Sequence, residues 1–220
     1  MSVEFDYLLK YIIIGESGVG KSNILSKFRD NTFDEKIHPS IGVEFIAKNL
    51  SFNNLTFRLQ IWDTAGQESF RSMTKVYYKN SSCAFIVYDI TEKRSFYNAE
   101  TWLNECKLVA PETIIFILIG NKCDMIDSRE VTYEEGANFA KDHNMLFFET
   151  SAKNGDNIEK IFNESLKLIH KNIEEGKYDL TDDACGIKIC KNENNTNINL
   201  DYYEDESTRV ITKKKKSKCC

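Results

Sequence analysis

Short runs of apolar, mostly β-branched residues alternate along the chain with segments whose apolar residues recur every three or four positions. The short runs are typical of buried strands, and the longer segments are typical of helices with one apolar face. This alternation predicts a sheet of mostly parallel strands covered by helices. Six strands are predicted, near residues 6–14, 45–52, 55–63, 84–89, 114–120 and 145–150.

Only Asn53 and Asn54 separate the second predicted strand from the third. Because two residues are too few for a crossover helix, this pair should form an antiparallel hairpin. The other connections can hold a helix. The predicted fold is therefore α/β, with a six-stranded, mostly parallel sheet, helices on both faces and one antiparallel edge hairpin.

Two helices have the clearest apolar stripes, and we expect both stripes to face the core. The first helix is predicted over residues 94–110, where Ala110 is the last residue of the stripe. The second is predicted from residue 158 to residue 173, with Asp156 or Asn157 as its N-cap. Core packing explains both stripes, so no function is assigned to them.

The chain has 220 residues, which is long enough for one well-buried domain. After about Gly176 the apolar periodicity stops: five asparagines lie between residues 192 and 199, and acidic residues cluster at 201–206. We therefore expect a folded domain over residues 1–175 and a disordered tail over residues 176–220.

Charge and cysteine content exclude several classes of protein. The net charge of −5 gives the protein as a whole no reason to bind nucleic acid. The seven cysteines include no C-x-x-C pair, which argues against a disulfide framework or a zinc site and favours a reducing compartment. We recognise no secretory signal, and the longest apolar runs are far shorter than the roughly 20 residues that span a bilayer.

The sequence GESGVGKS at residues 15–22 lies between the first predicted strand and a predicted helix. It matches the pattern G-x-x-x-x-G-K-[ST], in which glycines let backbone N–H groups close around phosphate oxygens. Lys21 would reach the β- and γ-phosphates, and Ser22 would ligate Mg²⁺. A glycine-rich turn without a ligand is the alternative, which the flanking strand and helix disfavour. The candidate phosphate-binding residues are Gly15, Ser17, Gly18, Val19, Gly20, Lys21, Ser22 and Asn23.

The sequence WDTAGQE at residues 62–68 follows the third predicted strand, where a parallel sheet presents its ligand crevice. Asp63 could hold the magnesium ion through water, and Gly66 could bring a backbone N–H to the γ-phosphate. Gln67 is placed to orient an attacking water. Gln67 and Lys21 are therefore the candidate catalytic residues.

The sequences NKCD at 121–124 and TSAK at 150–153 end the fifth and sixth predicted strands. An amide and a carboxylate at this spacing could bind the edge of guanine, whose N–H donors adenine lacks. Because a buried carboxylate without partners is costly, Asp124 would reject ATP. Ordinary turns at the strand ends are the alternative. The candidate base-binding residues are Asn121, Lys122, Asp124, Ser151, Ala152 and Lys153.

In order and spacing these motifs resemble those of the small GTPases of the Ras superfamily, from about residue 8 to residue 175. The segments IGVEF, RLQIW, RSMT, YYK and VYDIT are similar to the five that distinguish the Rab family. Other short sequences, such as YIIIG, SFRS and EGKYD, most resemble those of Rabs of the Golgi, early secretory and recycling routes. The resemblance implies a GTP-hydrolysing switch in vesicle traffic that binds GTP or GDP with Mg²⁺.

The resemblance also implies that residues 33–45 and 63–79 are two switch segments. Phe33 would lie against the face of the guanine. Ser40 stands where the family almost always has threonine. It keeps the hydroxyl that would bind Mg²⁺ and the N–H that would meet the γ-phosphate, but it lacks one methyl group, so we expect a somewhat looser active state. The implied effector interface comprises Ile41, Gly42, Val43, Phe45, Trp62 and Tyr77.

The chain ends in KKKKSKCC at residues 213–220, which resembles the Rab signal for geranylgeranyl transfer to Cys219 and Cys220. Two lipid chains beside a basic patch would give stable membrane anchoring. The implied location is the cytosol and the cytoplasmic face of a Golgi, ER or endosomal membrane. A solvated basic tail with free thiols is the alternative.

The implied partners are a guanine nucleotide exchange factor, a GTPase-activating protein, Rab escort protein with geranylgeranyl transferase, a GDP dissociation inhibitor and effector proteins. The G domain is expected to be a monomer.

No arginine is obviously placed to stabilise the transition state, so intrinsic hydrolysis should be slow. A P-loop kinase or ATPase would have no use for NKCD or the tail. A nucleotide-binding scaffold with negligible turnover is the remaining alternative, which Gln67 disfavours.

Overall fold

The computed structural model describes residues 5–35, 43–64 and 71–190, without the side chains of residues 43 and 71–74. Within these ranges the chain forms one sheet with helices packed against it. The strands are β1 (Tyr7–Ile14), β2 (Val43–Phe52), β3 (Leu55–Thr64), β4 (Cys83–Asp89), β5 (Ile115–Asn121), β6 (Leu146–Thr150) and β7 (Ile187–Ile189). The helices are α1 (Lys21–Asp30), α2 (Arg71–Tyr78), α3 (Lys93–Lys107), α4 (Tyr133–Asp142) and α5 (Ile158–Glu174). Short 3-10 turns occupy Ile126–Ser128 and Asp183–Cys185.

The sheet has the strand order β2-β3-β1-β4-β5-β6. Strands β3, β1, β4, β5 and β6 are parallel, and β2 is antiparallel to β3 at the edge. The predicted α/β fold with one antiparallel edge hairpin is therefore confirmed. The described part of the chain also contains a short seventh strand, β7, which the sequence pattern did not predict.

The turn of the edge hairpin explains its two asparagines. Asn53 and Asn54 have φ values of 49° and 60°, in the left-handed region that asparagine tolerates better than most residues. The turn pairs Phe52 with Leu55 and so sets the register of the whole hairpin.

The alternation of side chains along β1 divides the core between the two faces of the sheet. Leu9, Tyr11 and Ile13 join a cluster with α1 and α5, whereas Ile12 and Ile14 join a second cluster with α3. In the first cluster Phe28 of α1 stacks on Phe162 of α5, with their ring centroids 3.6 Å apart. All five of these β1 side chains are fully buried, which explains why the sequence of β1 is an almost continuous apolar run.

Two helix termini differ in detail from the prediction. Helix α3 ends at Lys107, so Ala110 lies beyond the helix, although its N–H still bonds to the carbonyl of Cys106 at 2.9 Å. Asn157 immediately precedes α5, but its side chain does not cap the helix. Its amide group donates instead to the carbonyl of Glu149, at 2.7 Å, and so ties the start of α5 to β6.

The ordered chain continues past the predicted domain boundary at residue 175. β7 runs antiparallel to the first half of β1, pairing with Tyr7–Leu9, whereas β4 pairs with β1 only from Tyr11 onward. β7 therefore occupies the position beside β1 that β4 leaves unfilled. Tyr178, Cys185 and Ile187 are buried in the cluster that contains α1 and α5.

The predicted start of the disordered tail at residue 176 is therefore corrected. Isolated apolar residues among polar ones produce no periodicity that sequence inspection could detect. Residues 191–220 lie outside the described residues, and their disorder stays a prediction. Within the described residues, no helix is long and apolar enough to cross a membrane.

The packing of β7 leads to a test that uses two isoleucines of the same strand. Ile187 is 1% exposed and Ile189 is 43% exposed. Ile187→Ala should lower the free energy of unfolding by about 2–5 kcal/mol, because it leaves a cavity in the core. Ile189→Ala should change it by no more than about 0.5 kcal/mol.

The measurement is urea unfolding of both variants and the wild-type protein at one fixed nucleotide concentration. Equal, small effects of the two substitutions would show that β7 does not contribute to the folded core.

Candidate functional site

The described parts of the four sequence motifs lie at one edge of the sheet, where β1, β3, β5 and β6 end; of WDTAGQE only residues 62–64 are described. These strands are parallel members of one sheet, so their carboxyl ends point toward the same edge, where α/β proteins bind their ligands. The glycine-rich loop at residues 15–20 joins β1 to α1, and the N-terminus of α1 opens onto this edge. The N–H groups at a helix N-terminus favour an anion at this position.

Close backbone approach explains two glycines of the loop. A Cβ on Gly15 would lie 2.2 Å from the carbonyl oxygen of Val87, and a Cβ on Gly20 would lie 2.3 Å from the side-chain nitrogen of Asn121. A larger residue at Gly15 would push the loop away from β4, and one at Gly20 would displace the Asn121 amide. Among the other predicted phosphate-binding residues, Val19 is fully buried, whereas Ser17 and Gly18 are exposed on the outer side of the loop.

The side chain of Lys21 is buried against the glycine-rich loop. Its ammonium group donates to the carbonyl oxygens of Gly15, at 2.9 Å, and Glu16, at 2.7 Å. Burial lowers the pKa of Lys21 to about 8, although the nearby carboxylates of Asp63 and Glu16 act in the opposite direction. The loop therefore holds a desolvated positive charge at the position where the motif would place the β- and γ-phosphates.

Ser22 and Asp63 form the candidate metal site. The hydroxyl of Ser22 donates to Oδ2 of Asp63 at 2.5 Å. Oδ1 of Asp63 is buried and has no hydrogen-bond partner among the described residues. Burial raises the pKa of the Asp63 carboxyl, while the bond from Ser22 and the charge of Lys21 oppose this effect. A hydroxyl beside an orphaned carboxylate oxygen fits the preference of Mg²⁺ for oxygen ligands, directly or through water.

Asn121 connects three loops of the site. It is 1% exposed, and its amide group donates to the carbonyl of Val19 at 2.8 Å. Its Oδ1 accepts from the hydroxyl of Thr150 at 3.1 Å and from the N–H of Ala152 at 3.3 Å. The contact of Asn121 with the base stays a prediction. The structural role of Asn121 is not visible in the sequence, because Val19 and Asn121 are 102 residues apart in the chain.

Asp124 is held by the loop that follows β6. The hydroxyl of Ser151 donates to Oδ1 of Asp124 at 2.5 Å, so the predicted base-binding carboxylate and the TSAK segment are brought together. The ammonium of Lys122 lies 2.5 Å from Oδ2 of Asp89, at the end of β4. Asp89 was not among the predicted site residues, although its place at a strand end could have suggested it.

The segment after α1 reaches the same edge of the sheet. Phe33, predicted to cover the guanine, is 36% exposed. One residue further on, the backbone of Asp34 is hydrogen-bonded to the side chain of Asn23. The ammonium of Lys153 lies 3.4 Å from the carboxylate of Glu35, which links this segment to the TSAK loop.

The aromatic residues of the predicted effector interface form one contiguous patch. The rings of Phe45 and Trp62 have centroids 5.0 Å apart, and those of Trp62 and Tyr77 are 5.1 Å apart. Phe45 is 46% exposed, so the patch reaches the surface. The other predicted site residues lie outside the described part of the structure: Ser40, Ile41, Gly42, Gly66, Gln67, the side chain of Val43, Cys219 and Cys220.

The mostly parallel sheet, the glycine-rich loop with its buried lysine and the adjoining oxygen cluster define a P-loop nucleotide-binding protein of the α/β class. Residues 10–171 match the Ras family. The chain therefore belongs to the Ras family, whose members are GTP-binding switches. They bind GTP and GDP, generally with Mg²⁺, and act with exchange factors, GTPase-activating proteins and effectors. The resemblance to the Ras superfamily is thus confirmed.

The burial of Asp63 predicts a pH dependence of magnesium binding. A raised pKa means that Asp63 takes up a proton at a higher pH than an ordinary aspartate, and the protonated carboxyl is a poor metal ligand. Below that pKa, the affinity for Mg²⁺ should fall by up to about tenfold per pH unit, the limit for one proton released on binding.

The measurement is the Mg²⁺ dependence of GDP release from about pH 5 to about pH 8, for the wild-type protein and for Asp63→Asn. The Asn variant should bind Mg²⁺ more weakly and lose most of the pH dependence, because its amide does not titrate. Identical pH profiles for the two proteins would exclude Asp63 as the titrating ligand.

Proposed function

We propose that this chain is a Rab-type GTPase that regulates vesicle traffic, most similar to the Rabs of the Golgi and early secretory routes. The observation that carries the proposal is the pair Cys219 and Cys220 directly after a block of lysines in a Ras-family protein. Geranylgeranyl groups on both thiols would hold the protein on the cytoplasmic face of a Golgi, ER or endosomal membrane. Rab escort protein, geranylgeranyl transferase and a GDP dissociation inhibitor are its proposed partners in this cycle.

The aromatic patch of Phe45, Trp62 and Tyr77 supports an effector surface that depends on the bound nucleotide. Trp62 directly precedes Asp63, and the predicted γ-phosphate contact Gly66 is four residues away. A change of the segment around Gly66 on loss of the γ-phosphate would therefore alter the surroundings of Trp62 and Tyr77. Such an order–disorder change of a switch segment is a general way to make a surface state-dependent.

In the proposed reaction a water oxygen attacks the γ-phosphorus of GTP. The bond from this phosphorus to the β–γ bridging oxygen breaks, GDP leaves with the electron pair, and the proton of the water passes to the phosphate. Gln67 orients the water, and Lys21 donates hydrogen bonds to the β- and γ-oxygens. Ser22, Ser40 and Asp63 would hold Mg²⁺, which would supply positive charge to the same oxygens.

Slow intrinsic turnover is expected, because the arginines whose contacts are described interact elsewhere. Arg29 pairs with Asp30, Arg58 lies over the ring of Phe5, and Arg129 pairs with Glu149. A GTPase-activating protein that supplies the missing positive charge would accelerate hydrolysis by about 10³- to 10⁵-fold.

The catalytic role of Gln67 is tested by comparing the only two glutamines of the chain. Gln67→Leu should slow single-turnover GTP hydrolysis by at least about tenfold, since one oriented hydrogen bond to the water is lost. Gln60→Leu, a substitution of the same chemistry within β3, should leave the rate within about twofold. Unchanged hydrolysis by Gln67→Leu would remove the role assigned to this residue.

The membrane role is tested on the full-length chain with escort protein, geranylgeranyl transferase and the lipid donor. Mass measurement should show two geranylgeranyl groups on the wild-type protein and none on Cys219→Ser/Cys220→Ser. Cys190→Ser, which removes a partly exposed cysteine just after β7, should still accept two groups.

In cells, an N-terminally fluorescent wild-type protein should label Golgi or endosomal membranes, and the double variant should disperse. Absence of transfer to the wild-type protein, or equal transfer to the double variant, would reject the proposed anchor.

A further inference from the structure

The segment that follows α1 leaves the helix in a fixed direction. Asn31 adopts a left-handed conformation at the C-terminus of α1, and its N–H bonds to the carbonyl of Lys27 at 3.0 Å. The N–H of Thr32 then bonds to the carbonyl of Ser26 at 3.4 Å. These bonds satisfy carbonyls at the end of the helix, but they do not reach Phe33 or the residues beyond it.

Asn23 supplies the contact that does reach beyond Phe33. Its amide nitrogen donates to the carbonyl oxygen of Asp34 at 3.1 Å, and its Oδ1 accepts from the N–H of Asp34 at 3.2 Å. The carboxamide thus bonds to both backbone groups of one residue, as a neighbouring strand would. Asn23 itself is fixed in the first turn of α1, directly after Ser22, the candidate metal ligand.

A second contact on this segment is weaker. The ion pair between Glu35 and Lys153 is 3.4 Å long, and both side chains are largely exposed. Exposed ion pairs of this kind contribute little, because water and salt screen them. Its value here is geometric: it shows that the residues just after Phe33 run beside the TSAK loop, which also holds Asp124 through Ser151.

We propose that Asn23 is a positioning residue that holds Phe33 over the guanine base and thereby sets the rate of nucleotide release. This inference rests on the proposed guanine site. Phe33 is fixed on one side by the end of α1 and on the other by the bonds between Asn23 and Asp34. Outward movement of Phe33 requires those two bonds to break, because they tie the segment to α1.

The role of the side chain is separable from that of the backbone. Any phosphate contact of residue 23 through its N–H would survive substitution by alanine, because alanine keeps the backbone donor. Asn23→Ala therefore removes only the two bonds to Asp34. Thr32→Ala is the matched control, since it removes a 3.5 Å bond from the Thr32 hydroxyl to Ser26 in the same segment but leaves Asp34 attached.

The experiment measures dissociation of a fluorescent GDP analogue from the wild-type protein, Asn23→Ala, Phe33→Ala, the double variant and Thr32→Ala. Asn23→Ala should release the analogue about 3- to 10-fold faster, as expected for two solvent-accessible hydrogen bonds. Phe33→Ala should also release it faster. In the double variant the loss of Asn23 should add less than about twofold, because Asn23 acts through Phe33. Thr32→Ala should stay within about twofold of the wild-type protein.

An unchanged rate for Asn23→Ala, or effects of Asn23→Ala and Phe33→Ala that simply multiply, would overturn the proposal. A general loss of stability would accelerate release in both backgrounds, so the double variant separates positioning from destabilisation. If Asn23→Ala does not fold, Asn23→Ser removes the same two bonds with a smaller loss of polarity. Failure of the wild-type protein to bind the GDP analogue would instead reject the guanine site, and this inference with it.

Discussion

The buried carboxamide of Asn121 is the contact on which the geometry of the site depends. It joins the phosphate-binding loop at Val19 to the ends of β5 and β6, which carry the residues predicted to bind the base. The close approach of Gly20 makes this connection possible, since a side chain there would occupy the space of the Asn121 amide. The glycine-rich loop and the candidate base-binding loops are thus fixed relative to each other by one buried side chain with three hydrogen bonds.

The same edge of the sheet concentrates buried charges that favour binding over stability. Lys21 and Asp63 are both desolvated. Burial lowers the pKa of Lys21 and raises the pKa of Asp63, so it favours the neutral form of each side chain. Removal of such groups from water costs free energy unless opposite charges compensate. A magnesium-bound triphosphate would provide both signs of charge at this place. These two desolvated charges therefore support the proposed site, in which phosphates would meet Lys21 and a metal ion would meet Asp63.

Two further features lie outside the phosphate-binding and base-binding motifs. β7 fills the space beside the first half of β1, so the chain does not leave the domain at the end of α5 but after a further pass along the sheet. Its backbone continues that pairing to Cys190, whose N–H bonds to the carbonyl of Asp6 at 2.8 Å. On the hairpin side, Phe45 and Trp62 come from neighbouring strands and present aromatic surface next to Asp63, the candidate metal ligand. The end of the described chain, after β7, and the proposed effector surface thus lie on different strands of the sheet.

The sequence by itself determined the elements and the chemistry of the motifs. Apolar periodicity predicts strands and helices because it reflects burial. The motifs GESGVGKS, NKCD and TSAK can be recognised from the local spacing of their residues at strand ends. Only the tertiary structure decided which side chains connect these motifs, through the bond of Asn121 to Val19 and the ion pair of Lys122 with Asp89. It also decided that β7 pairs with β1. Such contacts join residues far apart in the chain. Neither apolar periodicity nor motif spacing predicts them, because each contact depends on how the strands are arranged in the sheet.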